Sequence, residues 1–154
     1  MHKHSEQRTL PYRVDQLYAL VTDIEKYPQF LPWCRIARVL KRTPQVMEAE
    51  LIIAFKAFSE SYVSSIDCIP PDAKNQHAEL HVSQLRGPFT HLENHWRFTA
   101  LPDGKTRLDF SVAFAFRSKI LNSLIGLLFE KATKSMVEAF DKRAKALFTS
   151  AAQS

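Results

Sequence analysis

Glycine is scarce, with three in 154 residues. A loop that cradles phosphate needs several glycines at close spacing so that backbone N–H groups can approach the ligand. Neither a Walker loop nor a dinucleotide fingerprint occurs, and nucleotide chemistry is disfavoured on that ground. Cysteine is rarer still. Cys34 and Cys68 are isolated thiols, with neither the spacing of a zinc site nor the density of a disulfide scaffold, so a reducing compartment is expected and neither is assigned a role. The HExxH pattern is absent as well. Long apolar runs are also missing: the longest charge-free one, ILNSLIGLLF at 120–129, falls well short of the roughly 20 residues a bilayer span needs. The opening residues, MHKHSEQRTL, have no apolar signal core and no Arg- and Ser-rich amphipathic character, which leads us to expect a cytosolic protein.

What is present fits one domain. A core of this size buries roughly 70% of the surface its unfolded chain exposes. Residues 1–148 are read as a single domain and 149–154 as a loose tail. Lys and Arg number 21 against 16 Asp and Glu, a formal charge of +5. That balance belongs either to a merely solvated basic surface or to an anionic partner, a lipid headgroup surface or nucleic acid. A strand over 3–10 precedes helical spacing at Val14, Leu17, Tyr18 and Val21. A second short helix is expected within 25–31, with Pro28 in its first turn and Pro32 ending it.

From residue 34 to 117 the period becomes two, broken by the turn signals RTPQ, PPD, RGPF and PDG. In the last such strand Leu108, Phe110, Val112, Phe114 and Phe116 share one apolar face. Leu92, Trp96 and Phe98 do so in its neighbour, and Met47, Ala49, Leu51, Ile53, Phe55 and Ala57 in an earlier strand. That face needs a cover, and the segment 118–148 supplies one as a long helix with a stripe at Leu121, Leu124, Leu128, Ala132, Met136, Ala139, Phe140 and Leu147. At its start Ile120, Ile125, Leu127 and Phe129 widen the stripe beyond what one sheet can bury. Gly126, in the same stretch, either admits something close to the backbone or is simply tolerated.

Chemistry-bearing groups are few. His77, His81, His91 and His95 fall by parity on the outer, polar face, where no cysteine or ordered carboxylate cluster completes a metal site, so no metal is expected. Glu60 shares the parity of Phe58, Tyr62, Ile66 and Cys68, which points a carboxylate inward, either at a strand end or as a polar anchor in a pocket. No evident second titrating group accompanies it for acid–base work, and no enzymatic activity is expected. Arg35, Arg38, Lys41 and Arg42 are spaced irregularly, as on a charged edge strand and unlike a groove-reading helix, so no DNA partner is expected. The stretch DIEKYPQFLPWC, 23–34, crowds Tyr27, Phe30 and Trp33 around Pro28 and Pro32. Those rings either lid a cavity and dip into a membrane surface or pack a core.

The order of elements (a strand, two short helices, six strands, a long closing helix) is similar to the helix-grip fold of the START-like, or polyketide cyclase/dehydrase, superfamily. That fold is α+β, a curved antiparallel sheet of about seven strands wrapped around a C-terminal helix. VTDIEKYPQFLPWC at 21–34, FKAFSESYVSSI at 55–66, RGPFTHLENHWRF at 86–98, DFSVAFAFRS at 109–118 and MVEAFDKRA at 136–144 resemble the coenzyme Q-binding protein family, whose bacterial members include the ribosome association toxin. The resemblance implies a cavity between sheet and closing helix that holds ubiquinone or a similar isoprenoid lipid, with no catalytic cofactor, in a quinone chaperone that supports respiratory electron transport. It puts Tyr27, Phe30, Leu31 and Trp33 at the cavity mouth and Trp96, Phe98 and Phe114 on its wall. Ile53, Phe55, Tyr62 and Val82 join the ligand-binding set from the other strands, and Leu124, Leu128 and Met136 from the helix. Headgroup discrimination stays open among Glu60, Tyr62, Ser64 and Asn94. Ile53-Ala54-Phe55 stands where family members often carry Val-Gly-Phe, and the N-terminal extension of the mitochondrial members is absent, which favours a bacterial cytoplasmic protein peripheral to an anionic inner-membrane surface. The alternative is a module that binds the large ribosomal subunit and interferes with subunit joining.

Overall fold

The structure, a computed structural model, describes residues 1–55, 58–74 and 76–149, except for the side chains of Phe55 and Phe58. Strand β1 (His2–Leu10) leads into helix α1 (Val14–Thr22) and a 3-10 helix (Ile24–Gln29). Six strands follow: β2 (Cys34–Arg42), β3 (Val46–Phe55), β4 (Phe58–Ile69), β5 (His77–Arg86), β6 (Phe89–Ala100) and β7 (Thr106–Phe116). Helix α2 (Lys119–Ala144) closes the fold and runs into a wider π-helical turn, Lys145–Thr149. The strands form one sheet in the order β1-β7-β6-β5-β4-β3-β2, antiparallel throughout. Consecutive hairpins build it from β2 to β7, while α1 and the 3-10 helix carry the chain from β1 at one edge to β2 at the other. This is the helix-grip arrangement.

Strand parity assigns the inner face. Ala49 pairs with Ser64, Leu51 with Tyr62, Leu80 with Trp96, Val82 with Asn94, and Trp96 with Phe110. An irregularity between Phe89 and His91 advances β6 by one residue, so that Phe89, opposite Phe116, and Leu92, opposite Phe114, both turn inward. Pro28 sits near the end of the 3-10 helix instead of its first turn. The short i→i+3 pattern accommodates it there, because the chain turns out of the helix directly after, with Phe30 N–H and Leu31 N–H both donating to the Tyr27 carbonyl.

Helix α2 has 26 residues, about 39 Å at 1.5 Å per residue. The Ser118 hydroxyl caps it by accepting from Leu121 N–H at 3.2 Å. Asn122 Oδ1 accepts from Phe116 N–H at 3.1 Å, which ties the first turn of α2 to the end of β7. The group that comes close to Gly126 is the imidazole of His2, whose Cε1 would lie 3.1 Å from a Cβ at that position. Leu147 departs from the expected stripe and is 42% exposed. The π turn widens the spiral and changes its phase, which brings Phe148 instead to 5.4 Å from the Tyr12 ring. Two apolar clusters result. One, containing Leu17, Leu51, Leu80, Phe98 and Ala144, underlies α1 and the second half of α2, and the other, built on Phe89, Phe116 and Ile125, underlies its first half.

Candidate functional site

Among the described residues, two adjoining chambers lie between the sheet and α2, beside a smaller space of about 40 Å³ near β1 and the second half of α2. The larger, about 220 Å³, is walled by Phe89, Leu92, Phe110, Val112, Phe114 and Phe116 of the sheet and by Ile125, Phe129, Ala132 and Thr133 of α2. The smaller, about 140 Å³, reaches toward α1 and the 3-10 helix through Val21, Ile24, Tyr27, Leu31, Cys34, Trp96 and Phe140. Trp33, Ile53, Tyr62, Val82, Asn94 and Met136 border both. Adjoining as they are, the chambers reach the lower end of the roughly 300–1,000 Å³ range of small-molecule sites.

Most of the polar atoms at this boundary are already committed. Asn94 Nδ2 donates to the Ser111 carbonyl at 2.8 Å, and its Oδ1 accepts from Trp96 Nε1 at 2.8 Å. Thr133 Oγ1 donates back to the Phe129 carbonyl at 2.8 Å, and the Tyr27 hydroxyl donates to the Val21 carbonyl. Tyr62 differs. Its ring meets Phe89 edge-on at 5.3 Å, yet among the described residues its hydroxyl has no hydrogen-bond partner.

The titratable side chains among the described lining residues of these chambers are Tyr27, Cys34 and Tyr62. Burial pushes all three upward, Cys34 to about 11 and both tyrosines well above the ordinary phenol range. Each therefore stays protonated and uncharged at neutral pH. The chambers can hold an apolar body and offer it a hydrogen bond, and these three groups supply no base to take a proton from it.

The expected ligand-binding residues separate into groups. Trp33, Ile53, Tyr62, Val82 and Met136 border both chambers, Phe114 lines the larger, and Tyr27, Leu31 and Trp96 line the smaller. Phe98 lines neither of the two chambers and borders only the smaller space beside them. It is fully buried in the core, 6.3 Å from the Tyr18 ring of α1, because β6 has by then passed beneath that helix. Phe30 lines neither chamber and packs on Tyr27 and Phe140 at 5.8 and 5.2 Å, with the Arg143 guanidinium 5.3 Å over its ring. Two of the three rings in the proline-rich loop are thus held in an aromatic cluster, and Trp33 alone of the three borders both chambers. Leu124 and Leu128 are displaced from the walls as well. The inward arc of α2 runs Ile125, Phe129, Ala132, Met136 at i, i+4, i+7, i+11, and Leu124 lies about 100° away from Ile125 around the helix. Leu128 packs against the Phe89 cluster. The Phe55 side chain lies outside the described residues. Glu60 is half-buried opposite Ile53 near the start of β4 and lines neither chamber.

Phe110, Val112 and Phe116 share the face of Phe114 and were findable by parity alone. Cys34 had no such signal, since its place depends on how the loop settles on the sheet, and Ile125 is marked only by continuing the stripe of α2 backward from Met136. On the opposite face of the sheet, the four strand histidines pair with carboxylates: His77 and His95 with Glu79 at 3.0 Å each, His91 and His81 with Glu93 at 3.4 and 3.8 Å. No group of three or more metal-binding side chains forms among the described residues.

Comparison with known proteins agrees with this architecture. The chain is 41% identical over 138 residues to the ribosome association toxin RatA of Rickettsia prowazekii, covering 90% of this chain and 92% of that protein. It is 36% identical to the mitochondrial coenzyme Q-binding protein COQ10 homolog B of Xenopus laevis over 95% of its own length, and spans 59% of that longer protein. Among solved structures, an 18 kDa protein of Caulobacter crescentus superposes with a TM-score of 0.72 at 32% identity, over 96% of this chain and 98% of that one. The Zhui aromatase/cyclase of a Streptomyces species shares the fold with a TM-score of 0.75 at 15% identity, over 94% and 93% of the two chains. Residues 10–141 match the family model described as polyketide cyclase / dehydrase and lipid transport, a span from the end of β1 through most of α2 that takes in every element walling the chambers. This chain is a member of that family.

Proposed function

We propose that the protein binds ubiquinone or a similar isoprenoid lipid without transforming it, and acts as a quinone chaperone for respiratory electron transport in the bacterial cytoplasm, at the inner membrane. The observation that carries this reading is an apolar chamber bordered by one unpartnered phenol, with its titratable lining groups held neutral. The coenzyme Q-binding name of a 36% identical relative agrees with it. Each CH₂ withdrawn from water contributes about 0.8 kcal/mol, but a bilayer already keeps an isoprenoid tail dry, so the tail brings little selectivity. Discrimination falls to the head. A quinone carbonyl is an acceptor of the kind the Tyr62 hydroxyl lacks, and Asn94 beside it has both of its dipole ends engaged.

Native mass spectrometry with lipid extraction from the producing cell tests this. Isoprenoid quinone is expected in extracts of the wild type and is expected to be lost from Trp33→Ala. Tyr62→Phe is expected to lower affinity for a short-tailed ubiquinone about tenfold while leaving that for a tail-matched hydrocarbon unchanged. Extracts with no isoprenoid lipid, or quinone retained at wild-type stoichiometry in Trp33→Ala, would overturn the reading.

A second reading, association with the large ribosomal subunit, is favoured by the name of the 41% identical relative and by the exposed Arg35, Arg38, Lys41 and Arg42 on edge strand β2. Cosedimentation with large subunits at physiological salt would support it, and no association even at low salt would exclude it.

A further inference from the structure

The sheet leaves part of α2 uncovered, and the uncovered part is ordered along the helix. Ile120, Leu124 and Leu127 recur at i, i+4 and i+7 on the side turned away from the chambers, with Ile120 81% and Leu127 86% exposed and Leu124 half-buried between them. Lys131 and Lys134 continue the same ridge, both exposed. Arg117 and Lys119, also exposed, stand at its N-terminal end, and Glu130 is the one acidic residue between Arg117 and Val137. The ridge is therefore apolar for two turns, cationic for the next, and flanked by further cations.

We propose that this ridge is the surface by which the protein docks on a bilayer bearing anionic headgroups, with Ile120, Leu124 and Leu127 set into the acyl boundary and Lys131 and Lys134 at the phosphates. Its purpose rests on the lipid-carrying reading above, but its evidence is separate, because none of these residues lines a chamber. An interface that changes from hydrocarbon to anionic phosphate within a few ångströms matches a helix whose outer side changes from leucine to lysine over one turn. Other occupants match it less well. A second copy laid parallel sets lysine against lysine, and one laid antiparallel sets lysines against leucines. Nucleic acid would satisfy the cations and leave the three aliphatic side chains in water. The proline-rich loop is the weaker membrane contact, because Tyr27 and Phe30 are engaged with Phe140.

Vesicle flotation tests the proposal with the full chain, using phosphatidylglycerol/phosphatidylcholine mixtures against phosphatidylcholine alone at 0.15 M salt. The wild type is expected to float with the anionic vesicles. Leu127→Asp, at an exposed position where the fold is not at stake, is expected to lower that binding at least tenfold, with an unchanged thermal melt. The double variant Lys131→Gln/Lys134→Gln is expected to erase the preference for anionic lipid, at about fivefold for each lysine. Equal flotation of wild type and Leu127→Asp, no binding of the wild type to anionic vesicles, or a change of oligomeric state in Leu127→Asp would each overturn it. Lipid content of the purified variants separates the two readings: quinone retained in Leu127→Asp with flotation lost supports both, while flotation intact in a protein that never carries quinone supports the surface and removes the carrier.

Discussion

Gly87, in the turn between β5 and β6, holds φ at +152°, and a Cβ there would lie 2.5 Å from Tyr62 Cβ and 2.6 Å from Gln84 Oε1. The turn is closed from the other side by Gln84, whose side chain exchanges two hydrogen bonds with the Phe89 backbone at 2.9 and 3.0 Å. Backbone conformation and lack of space thus both require glycine at the point where Tyr62 is packed from behind. Gly87→Ala is expected to cost about 2 to 3 kcal/mol in chemical denaturation. Gly104, at φ +84° with nothing within 4 Å, supplies the contrast: its alanine variant should cost only about 1 kcal/mol, from backbone strain alone. The sequence RGPF announces a turn at 86–89, since glycine and proline together punctuate a strand. That the turn braces a chamber tyrosine is a tertiary fact, because Gly87 and Tyr62 meet through the β4–β5 pairing and no local pattern encodes that contact.

At the scale of elements, α2 is held at its start by three polar ties: the Ser118 cap, the Asn122 side chain on Phe116 N–H, and His2 Nε2 at 3.0 Å from the Asn122 carbonyl. These compensate for a half-helix that buries only part of its apolar surface. Asn122→Ala leaves Phe116 N–H without its acceptor and is expected to cost about 1 to 2 kcal/mol, with faster hydrogen exchange confined to 119–126. A uniform rise in exchange across the sheet would show that the tie is not local. The existence of α2 was plain from periodicity, and so were the strands, whose strict alternation leaves no other way to collect Leu108 to Phe116 on one face. The phase of α2 was not. Near its start the helix is apolar almost all round, so Leu124 and Ile125 are equivalent by composition, and only the amphipathic second half, continued backward from Met136 through Ala132 and Phe129, selects Ile125. The proline-rich loop was legible as a stop, but the aromatic cluster that holds Tyr27 and Phe30 was not, since Phe140, which engages both, arrives from more than a hundred residues away.

Over the whole molecule the two faces of the sheet differ: the inner one is largely apolar from β3 to β7 and carries the ion-paired His4, Glu6 and Arg8 at its β1 edge, while the outer one is a lattice of imidazoles, guanidinia and carboxylates. Glu79 on β5 is its best-connected acid. The His77 side chain holds it down most, His95 and Arg97 add to that, and together they outweigh burial to set its carboxyl at about 2 against an ordinary 4.5. A carboxylate depressed in the folded state contributes stability above its unfolded value and loses that contribution as pH falls through the folded one. Stability should therefore decline between pH 4.5 and about 2 in part because Glu79 is protonated there. The group is near the surface and screened, so its share is about 1 kcal/mol and no more. Thermal or urea melts across that range should show Glu79→Gln less stable than wild type by about this amount at pH 6, with the two curves converging toward pH 2. Glu93, whose side chain is 57% exposed and whose histidine contacts are longer at 3.4 and 3.8 Å, should behave otherwise. Glu93→Gln is expected to stay within about 0.5 kcal/mol of wild type at pH 6. A constant gap between wild type and Glu79→Gln down to pH 2 would mean that packing at that site, and not ionisation, is what the substitution removes.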